Sequence, residues 1–362
     1  MPSIVSISTY HPPHVVEQNQ TAEFARELFK DDFRDIERLL SVFQNGQIQK
    51  RHFAMPLTWF EHDHSLEERN DLYIKKAVEY GTEAVKQCLE DKRFLQQPQP
   101  AGSIDAIFFI SSSGMATPSI EARIMNHLPF SDGTKRIPMW GLGCAGGAAG
   151  ISRAYEYCLA FPKAKVLVLA VELCSLTFQR NDRSKSNLVG TSLFADGAAC
   201  VLMAGDEAKV ETKRIMPAIL KAESKLMPDS EDVMGWEVKN SGLHVVFSRD
   251  IPVIVRSWLG GFVDSFLEKE GLSMQEIQHF VAHPGGKKVL DAYESTLHLS
   301  PEKTNHARNV LSSFGNMSSP TVLYVLEQFM MDDAQKGDYG LMTALGPGFS
   351  GELVLLKWGQ PA

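Results

Sequence analysis

Cysteine is scarce and unpaired in this chain. There are five in 362 residues, Cys88, Cys144, Cys158, Cys174 and Cys200, and no two stand in CxxC spacing. An odd number without close pairs excludes a disulfide framework and a thiolate zinc site. A long hydrophobic run is also lacking: Val166–Val171 is ended by Glu172, far too short to span a bilayer. Positive charge is not in excess. The formal net charge of −8 excludes nucleic acid as the main partner, while leaving room for a local basic patch that receives a phosphorylated ligand. No Lys or Arg precedes Arg26, so a charged signal n-region is missing and a cytoplasmic location without stable membrane insertion is expected. Low-complexity tails and short repeats are absent.

What is present is ordinary globular material, 44% hydrophobic and 22% charged. The length suits two domains, or one large fold of two similar halves. Strands are predicted at Ser3–Thr9, Asp105–Ser112, Lys165–Glu172, Ala198–Ala204, Ile215–Ala222, Leu243–Phe247, Gln278–Ala282, Gly340–Leu345 and Glu352–Trp358. Helices are predicted at Thr21–Phe29, Asp32–Phe43, Leu66–Leu89, Cys144–Ala160, Pro252–Lys269 and Ser319–Asp333. Continuous apolar strands alternating with helices indicate an α/β fold with buried sheets. Asp196-Gly197-Ala198 leads into the last strand of a first block, and Gly348-Phe349-Ser350-Gly351 into the last strand of a second. Duplicated halves, 1–210 and 211–362, are expected.

The most informative stretch is Gly141–Gly150, GLGCAGGAAG. Glycines before Cys144 permit a tight strand-to-helix turn, and small residues after it let the helix start pack close to other backbone. A thiol at the positive end of a helix is favoured as thiolate, the nucleophilic form. The same stretch also suits a buried, inert cysteine in a packed glycine turn. Three further segments stand out: Val281–Gly286, which delivers His283 at a strand end; Phe314–Pro320, where Asn316 precedes a helix and Ser318 has the chemistry of an N-cap; and Gly346–Gly351, a rigid loop before the final strand. Each alone also suits an ordinary turn.

Taken together and in order, these pieces resemble the type III polyketide synthase family, the chalcone synthase-like branch of the thiolase superfamily. The matching pieces are GLGCAGGAAG, ELCSLTF (Glu172–Phe178), NLVGTSLFADGAA (Asn187–Ala199), GLHVVFSRDIP (Gly242–Pro252), AHPGG, FGNMSS and GPG, with Ser6–Thr9 and Gln47–Arg51 compatible. The chain looks most similar to the bacterial alkylpyrone and alkylresorcinol synthases. The resemblance implies a homodimer with a five-layered αβαβα thiolase-like fold. It implies Cys144 as the acyl-carrying nucleophile, His283 and Asn316 as its partners in loading and decarboxylation, Phe194 as an aromatic gatekeeper, and Gly346-Pro347-Gly348 as a cyclisation-pocket loop beside Ser318. Acyl-CoA and malonyl-CoA are the implied substrates, with no metal and no resident cofactor.

The chemistry needs these residue types in any case. A neutral His283 can take the thiol proton, or pair with the thiolate as imidazolium. After malonyl-CoA loses carbon dioxide, a histidine N–H and an asparagine N–H can both donate to the enolate oxygen.

The chain departs from the plant enzymes at Val245, where they carry a second gatekeeper phenylalanine, at Leu345 in place of an aromatic, at Thr117 in place of an interface-crossing methionine, and at Cys174 in place of threonine. Losing phenylalanine carbons opens space, so a long aliphatic starter is expected, unless neighbours fill the volume. Arg34, Arg38, Lys50, Arg51, Lys287 and Lys288 are candidates for the coenzyme A phosphates. Two rival readings remain: a single-round ketoacyl synthase III-like enzyme, and a catalytically silent acyl-CoA-binding protein. A hydroxymethylglutaryl-CoA synthase lacks a matching acidic base here.

Overall fold

The computed structural model describes residues 1–332 and 334–359. The predicted helix end at Asp333 and the last residues of the second half, 360–362, lie outside them. The first seven strands are β1 (Ser3–Tyr10), β2 (His14–Glu17), β3 (Lys50–Phe53), β4 (Ala106–Ile110), β5 (Lys135–Met139), β6 (Lys165–Leu173) and β7 (Asp196–Ala204). They are followed by β8 (Met216–Leu226), β9 (Met234–Lys239), β10 (Gly242–Phe247), β11 (Ile277–Ala282), β12 (Tyr339–Gly346) and β13 (Ser350–Gly359). Nine of them form one sheet in the order β11-β12-β13-β8-β1-β7-β6-β4-β5, and two small ladders pair β2 with β3 and β9 with β10.

The large sheet is two sheets joined at a narrow seam, where β1 meets β8 through the single pair Ser3↔Ala218. On one side β4 runs parallel to β6, β6 antiparallel to β7, and β7 antiparallel to β1. On the other side β11 runs parallel to β12, β12 antiparallel to β13, and β13 antiparallel to β8. The topology repeats. Asp196 and Ser350 open equivalent strands, as the two glycine-rich approaches in the sequence suggested.

Two helices, Gly146–Ala160 and Thr321–Met331, pack between the two half-sheets. The first is Gly- and Ala-rich because both faces are covered; the second is apolar almost all round for the same reason. Leu66–Glu90 covers the outer face of β1, β6 and β7, and Ser65 with Glu68 forms its capping box. The 251–269 segment covers the far side, where Trp258 and Phe262 pack against Gly351 of β13. Helix, sheet, helix pair, sheet and helix give the five layers.

The structure differs from the sequence reading in several elements. The predicted helix Pro252–Lys269 is three pieces: Ile251–Ile254, a π-helical turn Val255–Leu259, and Gly260–Lys269. The strand β5 escaped prediction because KRIPM is an edge strand, polar and carrying a proline that an interior strand rejects. The helix predicted from Cys144 begins at Gly146, after a 3-10 turn over Gly143–Ala145.

Candidate active site

The site lies where the two central helices begin. Cys144 sits in the 3-10 turn before the first, and Asn316 in the loop before the second. Close approach of these two segments depends on glycine: a Cβ on Gly147 would lie 2.2 Å from the Ser319 carbonyl oxygen. Gly143 has φ +47, and a Cβ there would lie 2.8 Å from Pro347 Cδ, so the Cys144 turn and the Gly346-Pro347 loop pack as one unit.

Asn316 is 1% exposed and fixed on several sides. Its backbone N–H donates to the Leu193 carbonyl and its carbonyl accepts from Ala195, both at 2.9 Å. Its Nδ2 donates to the Gly285 carbonyl at 3.2 Å and its Oδ1 accepts from the Ser318 N–H at 2.8 Å. The amide faces the thiol, with Oδ1 and Nδ2 at 3.9 and 4.0 Å from Cys144 Sγ. Ser318 is not an N-cap. It has φ +59, and the helix starts beyond it at Thr321.

His283 follows β11, its N–H donating to the Thr343 carbonyl at 2.9 Å. The ring is buried against Gly285, whose Cβ, if present, would sit 3.7 Å from Nε2. Among the described residues neither ring nitrogen has a hydrogen-bond partner. Burial pushes its pKa down to about 3, so it is neutral, with one N–H to donate and one nitrogen to accept.

Burial also pushes the Cys144 thiol up to about 11, opposed by hydrogen bonds from Ser318 and Asn316. The sequence argument expected the helix field to favour thiolate. That field is worth about 1 kcal/mol or less at a helix end, and desolvation of a buried sulfur outweighs it. Burial thus favours the neutral forms of both groups, thiol and imidazole.

Glu172 is the residue that sequence reasoning passed over, although it stood in a quoted motif and ends a wholly apolar strand. It is fully buried and accepts from the backbone N–H groups of Ser112 and Ser113, both at 2.9 Å, and from Ser319 Oγ at 3.0 Å. Ser112 Oγ in turn accepts from the Gly143 N–H at 3.1 Å. The carboxylate thus ties the Cys144 turn to the Asn316 loop. Burial pushes its pKa from 4.5 to about 7. The folded state then keeps a proton that the unfolded chain has lost, so stability falls as pH rises from about 4.5 to about 7, by about 3 kcal/mol for a shift of this size. Thermal melts of Glu172→Gln should lose that part of the slope; an unchanged slope would refute the assignment.

The chamber above Cys144 is lined by Phe194, Met234, Trp236, Val245, Phe247, Ser318 and Pro347. A second, largely apolar cavity shares Phe194, Trp236 and Val245 as walls and extends past Phe24, Phe53, Phe60 and Phe178 to Cys174. Trp236 stands 5.5 Å from the Phe194 ring centroid; no motif in the sequence marked it. Cys174 lines this second cavity and not the Cys144 chamber, and burial raises its thiol well above the ordinary value. Leu345 is buried in the core, and Gly346 and Gly348 stand behind Pro347 as backbone. Thr117 is exposed, on a loop that also exposes Met115.

The basic candidates separate. Arg51 is fully buried, donates to the Thr191 and Phe194 carbonyls at 2.8 and 2.7 Å, and forms a wall of the second cavity. It braces the gatekeeper turn and is closed to a surface phosphate; Arg51, His52 and Phe53 are all buried in β3, and only Lys50 at its start is exposed. Arg34, Arg38, Lys50 and Lys288 are exposed, and Lys287 is paired with Asp291 at 2.6 Å. Among the described residues, no group of three or more His, Cys, Asp or Glu is placed to hold a metal ion, and no helix is long and apolar enough to cross a membrane.

Comparison with known proteins agrees with this geometry. Residues 2–207 match the family "Chalcone and stilbene synthases, N-terminal domain" and residues 218–358 the corresponding C-terminal domain. A Bacillus subtilis (strain 168) protein named "Putative chalcone synthase" is 52% identical over 100% of both chains. A 1,3,6,8-tetrahydroxynaphthalene synthase of Streptomyces peucetius subsp. caesius is 34% identical, covering 98% of this chain and 93% of its own. The crystal structure of 1,3,6,8-tetrahydroxynaphthalene synthase from Streptomyces coelicolor A3(2) superposes with a TM-score of 0.90 at 28% identity over 99% of both chains.

Proposed function

The chain belongs to the chalcone and stilbene synthase family, the acyl-transferring type III polyketide synthases, and from that premise we propose that it extends a long-chain fatty acyl-CoA starter with malonyl-CoA and releases alkylpyrones or alkylresorcinols. Cys144 carries the acyl chain as a thioester. His283 removes the thiol proton during loading. His283 and Asn316 then donate to the enolate oxygen formed when malonyl-CoA loses carbon dioxide. The enzyme acts as a cytoplasmic homodimer on CoA thioesters, and Thr117 lies on the face that meets the partner subunit.

One observation carries the choice of starter. The apolar cavity past Phe194 shares Phe194, Trp236 and Val245 as walls with the Cys144 chamber and is lined by Phe24, Phe53, Phe60 and Phe178. Such a cavity suits an aliphatic tail, with the reacting carbonyl left at the sulfur. The test is incubation with malonyl-CoA and a ladder of acyl-CoA lengths, with products identified by mass spectrometry. Products whose carbon comes from malonyl-CoA alone, as a tetrahydroxynaphthalene would, count against a fatty starter.

The walls make a specific prediction. Val245→Phe should shift the optimum kcat/KM toward shorter starters by several carbons, and Trp236→Ala, which joins the two cavities, toward longer ones. Identical length profiles in both variants would show that the tail lies elsewhere.

A further inference from the structure

Away from Cys144, three side chains have the hydrogen-bond order of a base-activated nucleophile. Ser241 lies in the turn of the β9–β10 hairpin and is exposed. Its hydroxyl is 2.8 Å from His244 Nε2, and His244 Nδ1 is 3.3 Å from Asp182 Oδ2. The other carboxylate oxygen of Asp182 accepts from the Ser184 N–H at 2.8 Å, so the carboxylate is held in place. The His244 and Asp182 side chains are only 14% and 17% exposed. A carboxylate on Nδ1 keeps the proton on that nitrogen and leaves Nε2 to accept from the serine hydroxyl. The neighbouring charges Glu237 and Lys239 pair with each other at 2.7 Å.

Next to this turn is a narrow recess that shares Thr177 with the second cavity. Leu66, Arg69, Met115, Leu176, Gly242 and Leu243 line it. Arg69 donates to the carbonyls of Ser241 and Phe178, which fixes a guanidinium beside the serine. The site has an activated hydroxyl, a cation for developing negative charge, and a small apolar recess.

We propose that Ser241 is a second acyl-accepting nucleophile, activated by His244 and Asp182, for short acyl esters or thioesters that reach the exposed hairpin turn from solvent. The Ser241 oxygen bonds to the acyl carbon as the bond to the leaving thiol or alcohol breaks. The hydroxyl proton passes through His244 Nε2 to the leaving group. Water, with His244 again as base, then releases the carboxylic acid and restores the serine. This activity is independent of the condensing reaction.

The test uses the full chain carrying Cys144→Ala, so that the condensing thiol cannot react. A fluorophosphonate should give one adduct, mapped by peptide mass spectrometry to Ser241. Release of p-nitrophenol from p-nitrophenyl acetate should fall at least tenfold in Ser241→Ala and in His244→Gln. Ser241→Ala in the Cys144-containing chain should keep its condensing activity, which shows that it folds. No adduct, an adduct on another residue, or an unchanged p-nitrophenol rate in a folded Ser241→Ala chain would overturn the proposal. The adduct map is read on the unsubstituted hairpin, so it stands even where a hairpin variant misfolds.

Discussion

Cys144→Ala should make no polyketide, a loss of at least about 10³-fold, and should show no covalent acyl adduct when incubated with acyl-CoA. The reason is local. Every later step acts on a chain tethered at one sulfur, and the turn that presents this sulfur is packed against the Gly346-Pro347 loop and the Asn316 amide. Alanine removes the tether and leaves the packing, because the Cβ is retained. The variant should still bind malonyl-CoA and release carbon dioxide, since the groups that stabilise the enolate are on other segments. Intact-mass measurement after acyl-CoA treatment checks the first statement, and carbon dioxide release the second. Cys174 is the control: it lies in the second cavity with its thiol held protonated by burial, so Cys174→Ser should keep the acyl adduct. An adduct that persists in Cys144→Ala and maps to Cys174 would reverse the assignment.

The second large effect concerns the enolate. Removing one preorganised donor to a developing oxyanion costs about 10²–10³ in rate. Asn316→Ala and His283→Ala should each slow malonyl-CoA decarboxylation by that factor. They should differ in loading. Of the two, only His283 has a side chain with a nitrogen able to accept a proton, and burial keeps that ring neutral in the free enzyme. His283→Ala should therefore lose the acyl adduct as well, whereas Asn316→Ala should still form it, more slowly. Decarboxylation and adduct formation, measured separately on each variant, decide the matter. Equal effects of both variants on both steps would mean that the two residues do not divide the work in this way.

How much of this was legible in advance depended on the kind of signal. The apolar strands β4, β6, β7, β12 and β13 were read correctly because burial on both faces writes a continuous hydrophobic run. The edge strand β5 and the outer hairpin strand β9 were not, because strands with one face in solvent need no such run. Cys144, His283 and Asn316 were found through short glycine-rich segments, where close approach of backbones limits the residue types allowed. Glu172 and Trp236 stood in or near those segments and carried no local mark of their importance. Arg51 was taken for a surface cation, since an arginine in a short polar stretch gives no sign that both faces of its strand are covered.

The sequence by itself determined the α/β class and, through the resemblance of its glycine-rich segments, the family and the candidates Cys144, His283 and Asn316, because hydrophobic spacing and glycine placement are local constraints written residue by residue. Only the tertiary structure decided that burial favours the neutral thiol and imidazole, that Glu172 holds two catalytic loops together, and that Phe194, Trp236 and Val245 divide two cavities. Those properties arise from desolvation and from contacts between segments far apart in the chain, and neither quantity exists until the chain has folded.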